Sequence, residues 1–414
     1  MESKSSRLIR QSLFYGNLSY HQDKGEVKPW TTDDCERAID IKKIEELVCS
    51  IAKSKGPAFS VKTDRHSGRE YLGETHIGTS VLLALKIKAE DIKNHFPIHK
   101  LNPCVDLYFK QMSERGIPDI AWQAGLVIGE KLRQLVDVLN GFVESVRAEA
   151  RSAKFKTAMN NYLRSSKENY ASLNAYTNAW FHQCARILVV RLDCAYLKEH
   201  GWLAGKANSV SYEETRQHRK DFVSKMRSHP ELFEHMLGYV IKMEFGSVKG
   251  WHYHVMILLD GSKVREDVTM ARLIGEYWVG ITGGKGLYYN CNAHKNQYWI
   301  CGIGMINHDD AVAREGLKLA AAYLTKTDSM IKLVAPGKDR TFFKGEMPKP
   351  KPVKRGRPRK TSKQDKCLPS SQNLNQTHIL QRDQEDAPQP ETPVADKRIS
   401  FSSFIDPPPA STTC

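Results

Sequence analysis

The feature that most constrains the fold of this chain is a nine-residue run at 251–259, which is apolar except for two histidines. A second apolar run at 238–245 precedes it, and the stretch Gly-Ser-Val-Lys-Gly at 246–250 separates the two. Apolar runs rich in β-branched and aromatic residues on either side of a glycine-containing turn predict a β-hairpin. The surrounding domain must therefore assemble around two long antiparallel strands.

The two histidines of this hairpin are candidate metal ligands. Residues i and i+2 of a strand project from the same face, so His252 and His254 would lie side by side. A turn centred on Val248 places Glu244 directly opposite His252, with the two Cβ atoms ~5 Å apart. Two imidazoles and a carboxylate on one face predict a divalent metal site with open positions. The alternatives are two histidines on a solvated strand face, or a shifted turn that moves Glu244 to the opposite face.

A helix further along the chain carries a candidate nucleophile. In the predicted helix 311–327, Tyr323 and Lys326 are three residues apart, so both side chains project from the same side. A tyrosine hydroxyl is a poor nucleophile until a metal or cation lowers its pKa or polarises its target. Lys326 would supply positive charge near a transferring phosphate. The alternative is a partly buried tyrosine beside a solvated lysine.

Strands and helices alternate in the C-terminal half. Besides the hairpin, the patterns predict strands at 185–194 and 298–306, and helices at 212–228, 264–279 and 311–327. This β-α-β-β-α-β-α order is typical of α+β proteins with a ferredoxin-like, RRM-like antiparallel sheet and an added helix.

The N-terminal half is predicted to be mainly helical. The candidate helices are 34–53, 104–115, 126–150 and 162–186. The third has apolar residues spaced by threes and fours, from Ile128 to Val146, and we interpret this stripe as a packed core face.

The last seventy residues differ in composition from the rest. Residues 345–414 contain 11 of the 18 prolines and little apolar periodicity, so a disordered tail is expected there. The predicted organisation is a helical region at 1–175, a sheet domain at 176–344 and this tail.

Composition excludes several classes of protein. Lys and Arg total 62 against 47 Asp and Glu, giving a net charge of +15 that suits a polyanionic partner such as nucleic acid.

The apolar runs are far shorter than the ~20 residues that span a bilayer, and residues 1–14 lack the apolar core of a signal peptide. None of the nine cysteines forms a Cys-x-x-Cys pair, so a reducing cytoplasm is expected. No G-x-x-x-x-G-K-[ST] motif occurs, so any helicase must be another protein.

Together, the His-Tyr-His strand, the acidic residue on its neighbour and the Tyr-x-x-Lys helix resemble the HUH (His-hydrophobic-His) endonucleases. The resemblance covers residues 186–328. The sequence at 251–254 and 323–328 is most similar to the filamentous-phage (inovirus) gene-II-like replication proteins. It implies an HUH nuclease domain that uses Mg²⁺ or Mn²⁺, with metal ligands His252, His254 and Glu244, nucleophile Tyr323 and basic companion Lys326. It also makes Arg191, Asp193 and Tyr196 candidates for DNA contact, with Asp193 favoured as a structural residue.

The resemblance further implies a reaction and its partners. The enzyme would nick one strand of single-stranded or extruded DNA, leaving a 5′-phosphotyrosine and a free 3′-OH that primes rolling-circle replication of a phage, prophage or plasmid. A host helicase and polymerase would act with it. Leu319 and Thr327 occupy the positions where a second tyrosine could lie, so termination would need a second subunit, as in a homodimer, or a second round. The alternatives are a relaxase or transposase with the same chemistry, or a non-catalytic DNA-binding regulator.

The tail carries a further motif at 354–360, Lys-Arg-Gly-Arg-Pro-Arg-Lys, which resembles an AT-hook. Its core would consist of Arg355, Gly356, Arg357 and Pro358, which can lie extended in a narrow A·T-rich minor groove. Glycine permits close approach of the backbone and proline keeps the chain extended. The alternative is a generic basic linker.

Overall fold

The computed structural model describes residues 18–23, 26–31, 33–117, 127–200, 209–247 and 249–349. The chain divides into two compact units, Met1–Gly356 and Arg357–Cys414, and all of the described residues belong to the first. The described part is a mixed helix-and-sheet structure, as predicted. The AT-hook-like motif and nearly all of the predicted tail lie outside the described residues.

The N-terminal part combines six helices with five short strands within the described ranges. The helices are α1 Asp33–Lys53, α2 His76–Ala84, α3 Ala89–His95, α4 Pro103–Glu114, α5 Glu130–Arg151 and α6 Ala153–Gln183. The strands are β1 Leu18–Asp23, β2 Glu26–Thr31, β3 Phe59–Thr63, β4 Glu70–Glu74 and β5 His99–Leu101. The sequence predicted only helices here, because β3 and β4 pair with each other alone and bury few side chains, so they lack an apolar alternation.

Helices α1, α4 and α5 pack their apolar stripes into one core. On α5 the buried side chains include Leu135, Leu139, Phe142 and Val146, which confirms the interpretation of this stripe as a core face. Ile128 departs from that pattern, since it precedes the helix and is 60% exposed.

The C-terminal part is built on one antiparallel sheet. Its elements are β6 Arg186–Tyr196, α7 Tyr212–Ser224, α8 Pro230–Phe233, β7 Met236–Gly246, β8 Gly250–Asp260, α9 Asp267–Ile281, β9 Gly286–Asn290, β10 Gly304–Asn307, α10 Ala311–Lys326, β11 Ile331–Leu333 and β12 Phe342–Lys344. The strand order is β10-β6-β8-β7-β12, and β9 pairs with the second half of β6 on the same edge as β10. Strand β11 leaves this sheet and pairs with β5 of the N-terminal part.

Helices cover both faces of this sheet. One face packs Val189, Met256 and Leu258 against α6 and α10, and the other packs Val190 and Ile257 against α7 and α9. Alternate residues of the central strands therefore face two different cores, which explains why these strands are apolar almost throughout. No helix in the described ranges is both long and apolar enough to cross a membrane.

The short edge strands differ from the sequence predictions. The predicted strand at 298–306 is reduced to β10, and the sequence predicted no strand at the position of β9, which follows a turn at Gly283 and Gly284. Both glycines have positive φ, 63° and 85°, and form the tight turn from α9 into β9.

Candidate metal centre

The register of the central hairpin places three donor residues on one face. Glu244 on β7 is paired directly with His252 on β8, which is the register that the sequence predicted. His254 is paired with Lys242 on one side and with Asp193 of β6 on the other. All five side chains therefore lie on the face that is covered by α6 and α10.

The three predicted ligands come together as a compact set. Glu244, His252 and His254 each offer a ligand atom, and these atoms all lie within 4.8 Å of one another. Glu244 Oε2 is 3.2 Å from His254 Nε2 and 3.8 Å from His252 Nε2. This spacing allows a single cation to contact two nitrogens and one carboxylate oxygen.

The second nitrogen of each imidazole is already engaged, which fixes the tautomers. His252 Nδ1 donates to the carbonyl of Gly250 at 2.9 Å, and His254 Nδ1 donates to Asp193 Oδ1 at 2.5 Å. Both rings therefore direct Nε2 toward Glu244. Hydrogen bonds of this kind, from the outer nitrogen of a ligating histidine to a carbonyl or carboxylate, orient the ring and increase its basicity.

Burial and charge set the protonation states of the cluster. Burial lowers the pKa of His252 to about 4, and the charge of Lys249 acts in the same direction, so this imidazole is neutral near pH 7. Burial alone would raise the pKa of Glu244, yet His254 and His252 hold it well below its usual range. Burial would likewise lower the pKa of His254, but Asp193 and Glu244 together raise it. A neutral imidazole and an ionised carboxylate are the forms that bind a cation.

One buried atom of the cluster is left with an unused acceptor site. Among the described residues, His252 Nε2 has no hydrogen-bond partner although its side chain is only 5% exposed. A buried polar atom without a partner costs about 1–3 kcal/mol. A divalent ion held between this nitrogen, His254 Nε2 and Glu244 would remove that cost.

The predicted nucleophile lies beside this donor set. The ring of Tyr323 on α10 meets the ring of His254 edge to face, with their centroids 5.2 Å apart. Its hydroxyl is buried and has no hydrogen-bond partner among the described residues. Burial, reinforced by the charge of Asp193, raises the pKa of Tyr323 well above its ordinary value, while Arg191 opposes that shift.

Arg191 is a cation that the structure places next to Tyr323, and the prediction for Lys326 stays a prediction. Lys326 ends α10, and its side chain lies outside the described part of the structure. The guanidinium of Arg191 lies 4.0 Å from the centroid of the Tyr323 ring, and its Nη2 is 3.5 Å from Asp193. Lys242 is also buried at the site, where it donates to both carboxylate oxygens of Asp328 at 2.6 Å.

The remaining candidates on β6 divide between the two faces. Arg191 and Asp193 face the donor set, whereas Tyr196 lies in the opposite core and contacts His218 through its hydroxyl at 3.0 Å. The role of Asp193 as the partner of His254 was missed by the sequence analysis. Its signal was present, because Arg191 and Asp193 are two charged residues at i and i+2 in an otherwise apolar strand.

The site is closely covered. Tyr323 and His252 are each 4% exposed, and α10 is packed against the segment that precedes β10. At Gly302 and Gly316 the two backbones approach so closely that a Cβ on either would overlap the other chain segment. A ligand larger than a small ion can therefore reach the cluster only if this cover moves.

Comparison with known proteins gives one match. Residues 148–337, a little under half of the chain, match a family model described as the YagK/YfjJ C-terminal domain. No curated protein matches the chain, and no solved structure matches it. The matched stretch contains the whole donor set, Arg191, Asp193 and Tyr323, so this constellation falls within a region that is similar to the YagK/YfjJ C-terminal domain.

Proposed function

We propose that this protein is a metal-dependent nuclease of the HUH type that nicks one DNA strand with Tyr323 and so starts rolling-circle replication. The observation that carries the proposal is the convergence of Tyr323 with Glu244, His252 and His254 on one buried face. The three ligand candidates come from one hairpin, β7 and β8, whereas Tyr323 comes from α10, which lies much further along the chain. The packing of a hydrophobic core alone does not account for a carboxylate, two imidazoles and an unpartnered phenol at one point.

The order of the strands supports the same proposal. Taken along the chain, β6, β7, β8 and β9 are the four strands of a β-α-β-β-α-β unit, and across the sheet they follow the order fourth, first, third, second. This is the arrangement expected of a ferredoxin-like sheet, in which the first and third strands are central. The proposed ligands then lie on the central strand β8 and its neighbour β7.

The cation, Mg²⁺ or Mn²⁺, would be held by Glu244, His252 and His254. Two imidazole ligands also admit transition metals. When bound, the cation would polarise the scissile phosphate as a Lewis acid. Asp193 would hold His254 in the ligating tautomer through its 2.5 Å hydrogen bond.

Tyr323 would supply the attacking oxygen. Its phenolic oxygen forms a bond to phosphorus as the bond from phosphorus to the 3′ oxygen breaks, and one proton passes in net terms from the phenol to the departing 3′ oxygen. Arg191, 4.0 Å from the ring, favours the phenolate and therefore helps the attack. The phosphotyrosine conserves the phosphodiester energy, so a free 3′-OH can later reverse the reaction.

The burial of the site determines which DNA could be a substrate. Tyr323 is 4% exposed, so the cover over the site must move before any DNA strand can enter. Pairing in a duplex would still keep the scissile strand from entering, so the expected substrate is single-stranded or extruded DNA. The expected setting is the cytoplasm of a bacterial host, with a phage, prophage or plasmid as the template and host helicase and polymerase as partners. Because one tyrosine is available, a second subunit or a second round would complete termination.

The same burial favours one alternative. Because Tyr323 and both histidines are buried and Glu244 is only partly exposed, the cluster would also suit a structural cation in a non-catalytic DNA-binding regulator. In that case Tyr323 would only fill space beside His254.

The test is a search for the covalent product. The full chain is incubated with labelled single strands from its own replicon and Mn²⁺, and the products are separated on a denaturing gel. We expect a metal-dependent protein–DNA adduct that is lost in Tyr323→Phe and retained in Tyr288→Phe, a matched change on β9. An adduct that persists in Tyr323→Phe would overturn the proposal, and no adduct over a broad origin library would favour the regulator.

A further inference from the structure

A second polar region lies at the edge of the sheet formed by β12, around the segment 339–344. A cavity of about 620 Å³ opens there between α6, β7 and β12. A smaller cavity of about 300 Å³ adjoins it on the side of α7 and shares four of its lining residues. The cations that line the two cavities are Arg216, Arg219, Lys220, Lys332, Arg340 and Lys344. We call the two cavities together the basic cleft.

The charge of the basic cleft is not balanced by its own carboxylates. Of its two acidic residues, Asp328 is bound by the buried Lys242, and Asp339 accepts from the Tyr212 hydroxyl at 2.7 Å and contacts Arg216 at 3.2 Å. In the described part of the chain, the other lining cations make no salt bridge with a carboxylate. The cleft therefore presents an excess of positive charge to an incoming ligand.

The other groups in the cleft suit a nucleic-acid strand. Aromatic rings lie beneath two of the cations: Arg219 is 3.9 Å from the centroid of Phe343, and Lys344 is 4.9 Å from that of Tyr176. Hydroxyl and amide groups from α6, and the hydroxyl of Thr341 just before β12, line the remaining wall. Positive charge that follows a groove, combined with aromatic surfaces, is the usual composition of sites that bind single strands.

The cleft is also close to the proposed metal centre. Phe342 of β12 is paired with Lys242 of β7, and Lys242 is paired with His254 of β8. Two strand spacings correspond to ~10 Å. Asp328 lines the cleft and is bound by Lys242, the strand neighbour of His254, so a strand held in the cleft would pass close to the donor set.

We propose that the basic cleft binds the phosphodiester backbone of single-stranded DNA next to the nucleotide that enters the metal centre. This inference rests on the proposed function, because it names the path of the same substrate. It assigns phosphate contacts to Lys332, Arg340 and Lys344, and stacking or cation contacts to Phe343 and Arg219.

The experiment measures binding without chemistry. Fluorescence anisotropy follows a labelled 20-nucleotide oligo-dT with the full chain in EDTA, over a range of salt concentrations. Arg340→Gln with Lys344→Gln should reduce the slope of log affinity against log salt by about 1.4, because each lost contact to a single strand removes about 0.7. The control is Lys263→Gln with Arg265→Gln, which removes the same charge from an exposed turn after β8 and should leave the slope near that of wild type.

Competition distinguishes the ligand, and cleavage separates the two proposals. An unchanged slope in the cleft variant, or displacement of oligo-dT by poly-glutamate as readily as by unlabelled oligo-dT, would overturn the inference. Displacement by inorganic phosphate at equal phosphate concentration would overturn it too, since the cleft would then hold a free anion. If the salt slope falls in the cleft variant but wild type forms no Mn²⁺-dependent adduct, the inference about the basic cleft holds and the nuclease proposal fails. If wild type forms the adduct and the salt slope of the cleft variant is unchanged, the nuclease proposal holds and the inference about the basic cleft fails.

Discussion

At the scale of single residues, Asp193 has the clearest consequence for the proposed chemistry. It is buried on the central strand β6 and accepts from His254 Nδ1 at 2.5 Å, so it selects the tautomer whose Nε2 faces Glu244. An asparagine of nearly the same shape would remove the negative charge and could present its amide group to the imidazole. The ring would then have no fixed tautomer.

We therefore expect Asp193→Asn to weaken Mn²⁺ binding about 10- to 100-fold, which is the usual effect of losing the partner of a ligating histidine. Calorimetric titration of metal-free protein with Mn²⁺ measures this directly. Asp260→Asn, at the end of β8 and away from the donor set, should bind Mn²⁺ like wild type. Equal affinity in Asp193→Asn and wild type would show that the hydrogen bond does not serve a metal.

A second residue links protonation to stability. His99 on β5 lies between Phe96 and Phe245, and its Nδ1 has no hydrogen-bond partner among the described residues. Burial lowers the pKa of His99 to about 4. The unfolded chain takes up this proton below pH 6.5 whereas the folded chain does not until about pH 4, so the contribution to stability is full above pH 6.5 and is lost as the pH falls.

His99→Phe should therefore flatten the acid side of the stability profile. Between pH 7 and pH 4.5, wild type should lose about 2.5 kcal/mol more free energy of unfolding than the variant, as measured by urea denaturation in EDTA. The phenyl ring keeps the packing against Phe96 and Phe245. His66→Phe, in an exposed turn, is the control, and parallel profiles for His99→Phe and wild type would contradict the prediction.

At the scale of elements, the hairpin shows what the sequence could predict. The symmetry of the turn about residue 248 gave the pairing of Glu244 with His252, because register in a hairpin follows from local turn length. The cation beside Tyr323 could not be found in the same way. Arg191 reaches the ring from another strand, and only the packing of α10 on the sheet brings the two together.

The close packing of α10 also depends on two glycines. A Cβ on Gly316 would lie 2.3 Å from the carbonyl oxygen of Cys301, and one on Gly302 would lie 2.0 Å from the carbonyl carbon of Gly316. No positive φ is involved at either position, so the requirement is for space alone. Neither glycine was singled out by the sequence analysis, because their partners are revealed only by the fold.

Gly316→Ala should therefore destabilise the protein by about 1–3 kcal/mol, since backbone rather than a flexible side chain must move. Gly280→Ala near the end of α9 is a matched control, because its Cβ meets nothing within 4 Å. There the same substitution should stabilise the helix by up to about 1 kcal/mol. Urea denaturation of both variants checks the two signs, and equal effects would mean that the contact between α10 and the 301–302 segment is not tight.

At the scale of the whole described unit, helix α6 joins the N-terminal core to the core of the sheet domain. Its first turns pack Phe155 and Met159 against the N-terminal core, and its later turns place Leu173 and Phe181 on the sheet. Pairing of β5 with β11 adds a second connection between segments more than 200 residues apart. The sequence predicted a helical N-terminal region of undefined role, because contacts over such separations leave no local pattern.

These connections place the N-terminal core directly behind the end of α10. Asn102 donates to the carbonyl of Ser329 at 3.1 Å, and the Ser166 hydroxyl donates to the carbonyl of Thr325 at 2.8 Å. Both bonds hold the chain just after Tyr323. The N-terminal region therefore supports the position of the helix that carries the proposed nucleophile.

If the two cores are supported in this way, they should unfold together. Phe142→Ala in the N-terminal core should cost about 3–5 kcal/mol and should lower the unfolding midpoint of the sheet domain by the same amount as that of the helices. Five of the seven tryptophans follow residue 176, and Trp251 and Trp278 are buried in the sheet domain. With Trp30 and Trp122 replaced by phenylalanine in both proteins, tryptophan fluorescence reports on the C-terminal part, while far-ultraviolet circular dichroism reports mainly on the helices. Ile128→Ala, at an exposed position before α5, should leave both midpoints unchanged. A tryptophan transition that stays at its wild-type midpoint in Phe142→Ala would show that the sheet domain stands without its helical neighbour, and that the bonds from Asn102 and Ser166 do not couple the two cores.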